Sequence, residues 1–118
     1  MVRTISKQEV DEYISEMYIS EIVKRVVPEI SPEKIYLFGS FSGDDYDQDS
    51  DIDLCFVVEN SRSIKDVKRK INEILSDRIM PLDIIVCFEE DMEKRRDVIG
   101  TIQYRVAQDG KLLYERGD

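Results

Sequence analysis

Two apolar runs in this chain each open on a solitary aspartate, and that arrangement constrains the fold more than any other feature of the sequence. In Ile52–Val58 the charge is Asp53; in Leu82–Phe88 it is Asp83. Short apolar runs of this kind read as strands of a buried sheet. Period-two geometry sends Ile52, Leu54, Phe56 and Val58 to one face and Asp51, Asp53, Cys55 and Val57 to the other. Asp51 and Asp53 then share a face, roughly 6.6 Å apart along the strand. If the two runs are neighbouring strands, Asp51, Asp53 and Asp83 converge on one edge of the sheet. Left alone, three such carboxylates repel one another and raise at least one pKa. Hard Mg2+ or Mn2+ ions, which prefer oxygen ligands, relieve that repulsion. Two such ions about 3.5–4 Å apart can bridge a carboxylate trio and clamp an in-line phosphoryl displacement.

The rest of the chain supplies layers for such a sheet. Val10, Tyr13, Ile14, Met17, Ile22, Val23 and Val26 recur at helical steps and predict a helix from Ser6 to Val27. Ser6 and Glu9 suit a capping box at its start, and Pro28 and Pro32 are expected to end it. Ile35-Tyr36-Leu37-Phe38 is a short strand that stops at Gly39-Ser40. Ile64, Val67, Ile71, Ile74 and Leu75 mark a second amphipathic helix, broken at Met80-Pro81. Val98, Ile99, Ile102 and Val106 suggest a third, Asp109-Gly110 a turn, and Leu112-Leu113-Tyr114 a last short strand. The expected fold class is α/β (α+β), a small mixed sheet flanked by helices. At 118 residues with no linker or repeat, a single domain over residues 1–118 is expected, with an N-terminal helical segment (1–30) and a core over 34–116.

A glycine at the end of the Ile35–Phe38 run lets backbone N–H groups approach a phosphate with no side chain in the way. A helix starting near Ser40 would aim its positive end at the same place. Gly39-Ser40, ten residues, then Asp51-Ile52-Asp53-Leu54 resembles the signature of the DNA polymerase β-type nucleotidyltransferase superfamily. The fuller run LFGSFSG…SDIDLCFVV looks like its small prokaryotic members, the minimal nucleotidyltransferases. Pro81-Leu82-Asp83-Ile84-Ile85 is placed where that family keeps a third carboxylate, and Gly110 to Glu115 resembles its tail. The resemblance covers about residues 34 to 116.

The resemblance implies a nucleotidyltransferase fold in which Gly39 and Ser40 hold the triphosphate of ATP. Asp51 and Asp53 would bind both Mg2+ ions (Mn2+ as a substitute). Asp83 would bind the catalytic metal and help deprotonate an acceptor hydroxyl. It also implies a partner, an α-helical toxin of the HEPN class, to which such proteins act as antitoxin by transferring AMP to a hydroxyl such as a tyrosine's. In one respect the chain departs from the family. The loop Phe41–Ser50 carries Asp44, Asp45, Asp47 and Asp49 and no basic residue, where the family commonly has arginine. It would repel a triphosphate unless metals or a partner's Lys/Arg screened it.

Other chemistries fit less well. The formal charge is −9, and no basic stripe is visible of the kind that direct DNA or RNA binding requires. Lys65, Lys68, Arg69 and Lys70 alternate with apolar residues as the wet face of a helix. The chain has no histidine, which excludes Ser-His-Asp and Cys-His catalysis and the usual zinc sites. Ser40 therefore lacks a base to make it a nucleophile. Asp45, Asp47 and Asp49 open like a calcium loop, but Ser50 stands at the glycine position and Phe56 where a bidentate Glu is needed. Two cysteines make no disulfide scaffold, no leader precedes Val2, and no apolar run is long enough to span a membrane, so a cytoplasmic protein with reduced thiols is expected. Cys55 and Cys87 read as small buried hydrophobes, and Tyr104 and Tyr114 as packing residues. Two other functions stay open: a module that neutralises a basic partner by contact alone, and a transferase acting on a small molecule. The second usually needs an added domain.

Overall fold

The computed structural model describes residues 6–38, 52–78 and 82–117. Helix α1 (Lys7–Ile30) leads into strand β1 (Lys34–Phe38). Then follow β2 (Ile52–Val58), α2 (Ile64–Ile74), β3 (Leu82–Phe88), α3 (Glu89–Arg95), α4 (Ile102–Asp109) and β4 (Lys111–Glu115). The four strands form one mixed sheet in the order β3-β2-β1-β4. β1 runs antiparallel to both β2 and β4, and β2 runs parallel to β3, with α2 as the crossover. The expected α+β architecture is the one observed.

β2 organises the core because it is buried on both faces. Ile52, Leu54, Phe56 and Val58 pack under α1 and α2 with Ile22, Val26, Val67 and Ile71. Cys55 and Val57 point the other way, into a smaller cluster with Phe38, Cys87 and Val106 of α4. Two-sided burial explains why this strand is nearly continuous in apolar residues rather than cleanly alternating. α2 is locally specified: Ser63 caps it by accepting from the Asp66 N–H at 3.2 Å, and Asp66 sits in its first turn, where a negative charge suits the helix dipole.

Two elements differ from the sequence reading. α1 runs through Pro28 to Ile30 instead of stopping at Val27. A proline inside a helix costs about 3 kcal/mol. Ile30, one turn beyond Val26, is 1% exposed, and burying such a side chain contributes about 1.5–3 kcal/mol. The end carbonyls also find partners: Arg62 donates to the Ile30 carbonyl and Lys70 to that of Glu29 at 3.2 Å. The helix stops at Ser31, in the left-handed region at φ 51°, whose N–H donates to the Val27 carbonyl at 2.8 Å.

The helix expected from Val98, Ile99, Ile102 and Val106 begins only at Ile102, as α4, and a helix that the sequence pattern does not mark, α3, precedes it. α3 follows β3 directly, and Val98 and Ile99 lie exposed in the turn before α4, next to Gly100 at φ 95°. Thr101 then caps α4, accepting from the Tyr104 N–H at 3.1 Å. α3 shows almost no apolar periodicity; what supports it is an acidic first turn, a basic last turn and the Glu90–Lys94 pair.

Arg116 fastens the ends of three segments. Its guanidinium donates to Glu59 at 2.8 Å, to Glu33 at 3.0 Å and to the Ser31 carbonyl, while its N–H donates to the Glu33 carbonyl at 2.9 Å. The hydrogen bond and charge of Arg116 hold the Glu59 carboxyl below its ordinary pKa. A depressed carboxylate stabilises the fold above its unfolded pKa of about 4.3, and that contribution is lost as pH falls through the folded value. Melting temperature should therefore fall less in Arg116→Gln than in the wild type between about pH 6 and about pH 3.5, a difference readable by circular dichroism. Ile71 is fully buried, so Ile71→Ala should cost about 2–5 kcal/mol in urea unfolding.

Candidate active site

The sheet pairing brings three residues to one level at one end. Phe38, the last residue of β1, pairs with Asp53 across the antiparallel ladder. Asp53 in turn pairs with Asp83 across the parallel ladder. Adjacent strands lie about 4.8 Å apart, so the two carboxylates project side by side from neighbouring backbones. Both lie on the sheet face that carries α3 and α4, because Cys55, Cys87 and Phe38 share that parity. Asp53 is half-buried and Asp83 exposed.

Behind the carboxylates the face is apolar. Phe38 is 1% exposed, and the sulfurs of Cys55 and Cys87 lie 3.5 Å apart in the interior. The hydrogen bond to Cys87, together with burial, holds the Cys55 thiol well above its ordinary pKa. It stays protonated and serves as packing, as the sequence suggested.

The pair Asp53 and Asp83 is thus part of the expected trio, on adjoining strands in register. Asp51, which precedes Ile52, lies outside the described residues, as do Gly39, Ser40 and the loop through Ser50. Among the described residues no group of three or more His, Cys, Asp or Glu could hold a metal ion. The donor set nonetheless suits a hard divalent cation. It is all oxygen, accessible on one side, and made of like charges whose repulsion at this spacing is on the order of 1 kcal/mol or more.

Sequence reasoning missed one neighbour of this site. The Arg105 guanidinium, on α4, lies 5.6 Å from the centre of the Phe38 ring. Nothing in the local pattern marks it, since an arginine on a short amphipathic helix reads as solvated surface.

A family model described as a nucleotidyltransferase domain matches residues 16–107. The chain belongs to the nucleotidyltransferase domain family. The match to this nucleotidyltransferase begins inside α1 and ends inside α4. A protein of Methanocaldococcus jannaschii named as a protein adenylyltransferase is 34% identical over 76 residues, 59% of this chain and 76% of that one. The crystal structure of a protein described as a nucleotidyltransferase from Sulfolobus solfataricus superposes with a TM-score of 0.69. That alignment covers 98% of this chain and 94% of the other at 21% identity, which establishes the fold. A toxin–antitoxin complex crystallised with AMP-PNP matches at a TM-score of 0.49 and 20% identity, over 86% of this chain and 73% of that one, too distant to bear on function.

If Asp53 and Asp83 are metal ligands, each loses its purpose when the other is neutralised. In chelator, Asp83→Asn should melt at the same temperature as the wild type or above it, because a like-charge contact is gone. Adding Mn2+ should raise the wild-type melting temperature by roughly 2–6 °C and leave the variant unmoved. A wild type indifferent to Mn2+ would count against the metal site.

Proposed function

We propose that this nucleotidyltransferase transfers AMP from ATP, with Mg2+, to a hydroxyl of a partner protein, a tyrosine of a HEPN-type toxin, and so acts as its antitoxin. The observation that carries the reading is the in-register pairing of Asp53 with Asp83 on the α3/α4 face. The 34% identity to a protein named as a protein adenylyltransferase supports a protein acceptor. The toxin partner follows from the sequence resemblance to minimal nucleotidyltransferases.

In this reading Asp51, Asp53 and Asp83 would hold two divalent ions, which when bound would neutralise the triphosphate and polarise the α-phosphate. Gly39 and Ser40 offer N–H and hydroxyl donors to the phosphates. Asp83, the more exposed of the described pair, accepts the proton of the acceptor hydroxyl. The hydroxyl oxygen forms a bond to the α-phosphorus, the bond to the bridging oxygen breaks, and pyrophosphate leaves. Asp53, half-buried against the Phe38 and Cys55 layer, keeps a fixed position while this happens. No described helix is long and apolar enough to cross a membrane. The cytoplasm, with its ATP and Mg2+, is the setting proposed for the reaction.

The acidic balance of the chain, −9 overall, favours a second reading in which a basic partner is neutralised by contact alone. Incubation with ATP labelled at the α-phosphate, Mg2+ and the protein encoded by the neighbouring gene separates the two. Enzymatic transfer predicts label on a partner tyrosine and a loss of at least about a hundredfold in Asp53→Asn. Neutralisation without label, unaffected by Asp53→Asn, would establish the contact reading instead.

A further inference from the structure

In the nucleotidyltransferase reading, the ligand of the described carboxylates is itself strongly anionic, and the sequence gives that ligand few cations near the site. A nucleoside triphosphate carries about four negative charges, and Mg2+ ions held by Asp51, Asp53 and Asp83 are largely offset by those aspartates. The Phe41–Ser50 segment adds four further aspartates and no basic residue.

Among the described residues, the fold places a cation at this level of the sheet. α4 packs on β1, and its Val106 is buried in the same cluster as Phe38. The preceding residue, Arg105, is exposed and lays its guanidinium over the Phe38 ring at 5.6 Å from the centroid. Phe38 is the strand partner of Asp53, on the same face. Several other described cations are engaged or placed elsewhere. Arg25 is held by Asp77 and Arg116 by Glu33 and Glu59. Arg96 borders a cavity with Lys34 and Val57 at the opposite end of the sheet, and Lys111, level with Leu37, lines a groove on the α1 face.

We propose that Arg105 is a phosphate-binding residue of this site, held by the Phe38 ring so that it meets the triphosphate tail beside Asp53. The inference rests on the nucleotidyltransferase reading and adds to it the residue that supplies positive charge. The physical case has two parts. Phe38 is immobilised in the core, so a guanidinium lying over it has a restricted set of positions. Contact with a ring face leaves the in-plane N–H fork open, and that fork matches two phosphate oxygens. As mere packing, the same contact would cover an aromatic face and do nothing to a ligand.

The test uses the full chain with ATP bearing a methylene bridge between its α- and β-phosphorus, in the presence of Mg2+. Arg105→Met keeps an alkyl cover over Phe38 and removes the charge; Arg105→Lys keeps the charge and loses the fork. Arg105→Met should bind the analogue about ten- to a hundredfold more weakly while melting within a few degrees of the wild type. Arg105→Lys should recover part of the loss. Arg105→Met that binds within about twofold of the wild type overturns the proposal and leaves the nucleotidyltransferase reading intact. A wild-type chain that does not bind the analogue at all overturns both.

Discussion

The parallel, in-register pairing of β2 with β3 is the constraint on which the rest of this structure depends. It sets Asp53 beside Asp83, and it does so through backbone hydrogen bonds that neither carboxylate contributes to. Seven consecutive residue pairs, from Ile52 with Leu82 to Val58 with Phe88, fix the register. A slip of one residue would turn Leu54 and Phe56 from the larger α1/α2 cluster into the smaller α3/α4 one and bury Asp53 in the larger. Overpacking one cluster, leaving voids in the other and burying an unpaired charge cost far more than the repulsion between two partly solvated carboxylates. The core therefore imposes a charge juxtaposition that the charges themselves oppose.

That imbalance accounts for where the site lies. Like charges this close are tolerable only at a strand end, where one side remains open to water or to a cation. Along β2 burial deepens from half-buried Asp53 to fully buried Leu54, Cys55 and Phe56. Moving the pair two residues inward would put it where Cys55 and Ile85 sit, in surroundings that hold the Cys55 thiol protonated. The two faces of the sheet also divide the work. The α1/α2 face supplies most of the apolar burial, whereas the α3/α4 face, with its smaller cluster, has room at its end for polar groups.

How much of this the sequence disclosed follows from the same physics. The strands and α2 were legible because their burial is written in apolar periodicity, and the lone aspartates stood out against it. The mixed sheet followed from their order. The end of α1 was misread because local rules count the missing N–H of Pro28 and cannot count the burial of Ile30, a tertiary contact. The start of α4 was misread because Val98 and Ile99 keep helical spacing yet face solvent, and α3 went unmarked because it is a helix of charges supported by its dipole and one ion pair. At the site, Asp53 and Asp83 were recognised singly and their register was a conditional expectation. Asp51, Gly39 and Ser40 rest on the motif, since they lie outside the described residues. Arg105 carried no signal in the chain, because its position is a product of α4 packing back on β1.

The last of these differences bears on how such a small domain acquires chemistry. A strand-borne carboxylate pair is specified by the hydrophobic pattern that also folds the chain, so it comes with the core and resists change. A helix-borne arginine over an aromatic is specified by packing that joins residues 67 apart in sequence, Phe38 and Arg105. Such a residue can be altered at an exposed position without disturbing the sheet. The negative half of the site is thus tied to stability, and the positive half is free to vary with the ligand it has to meet. In a chain whose Gly-Ser loop is acidic, a cation supplied from α4 is the solution that leaves the fold untouched.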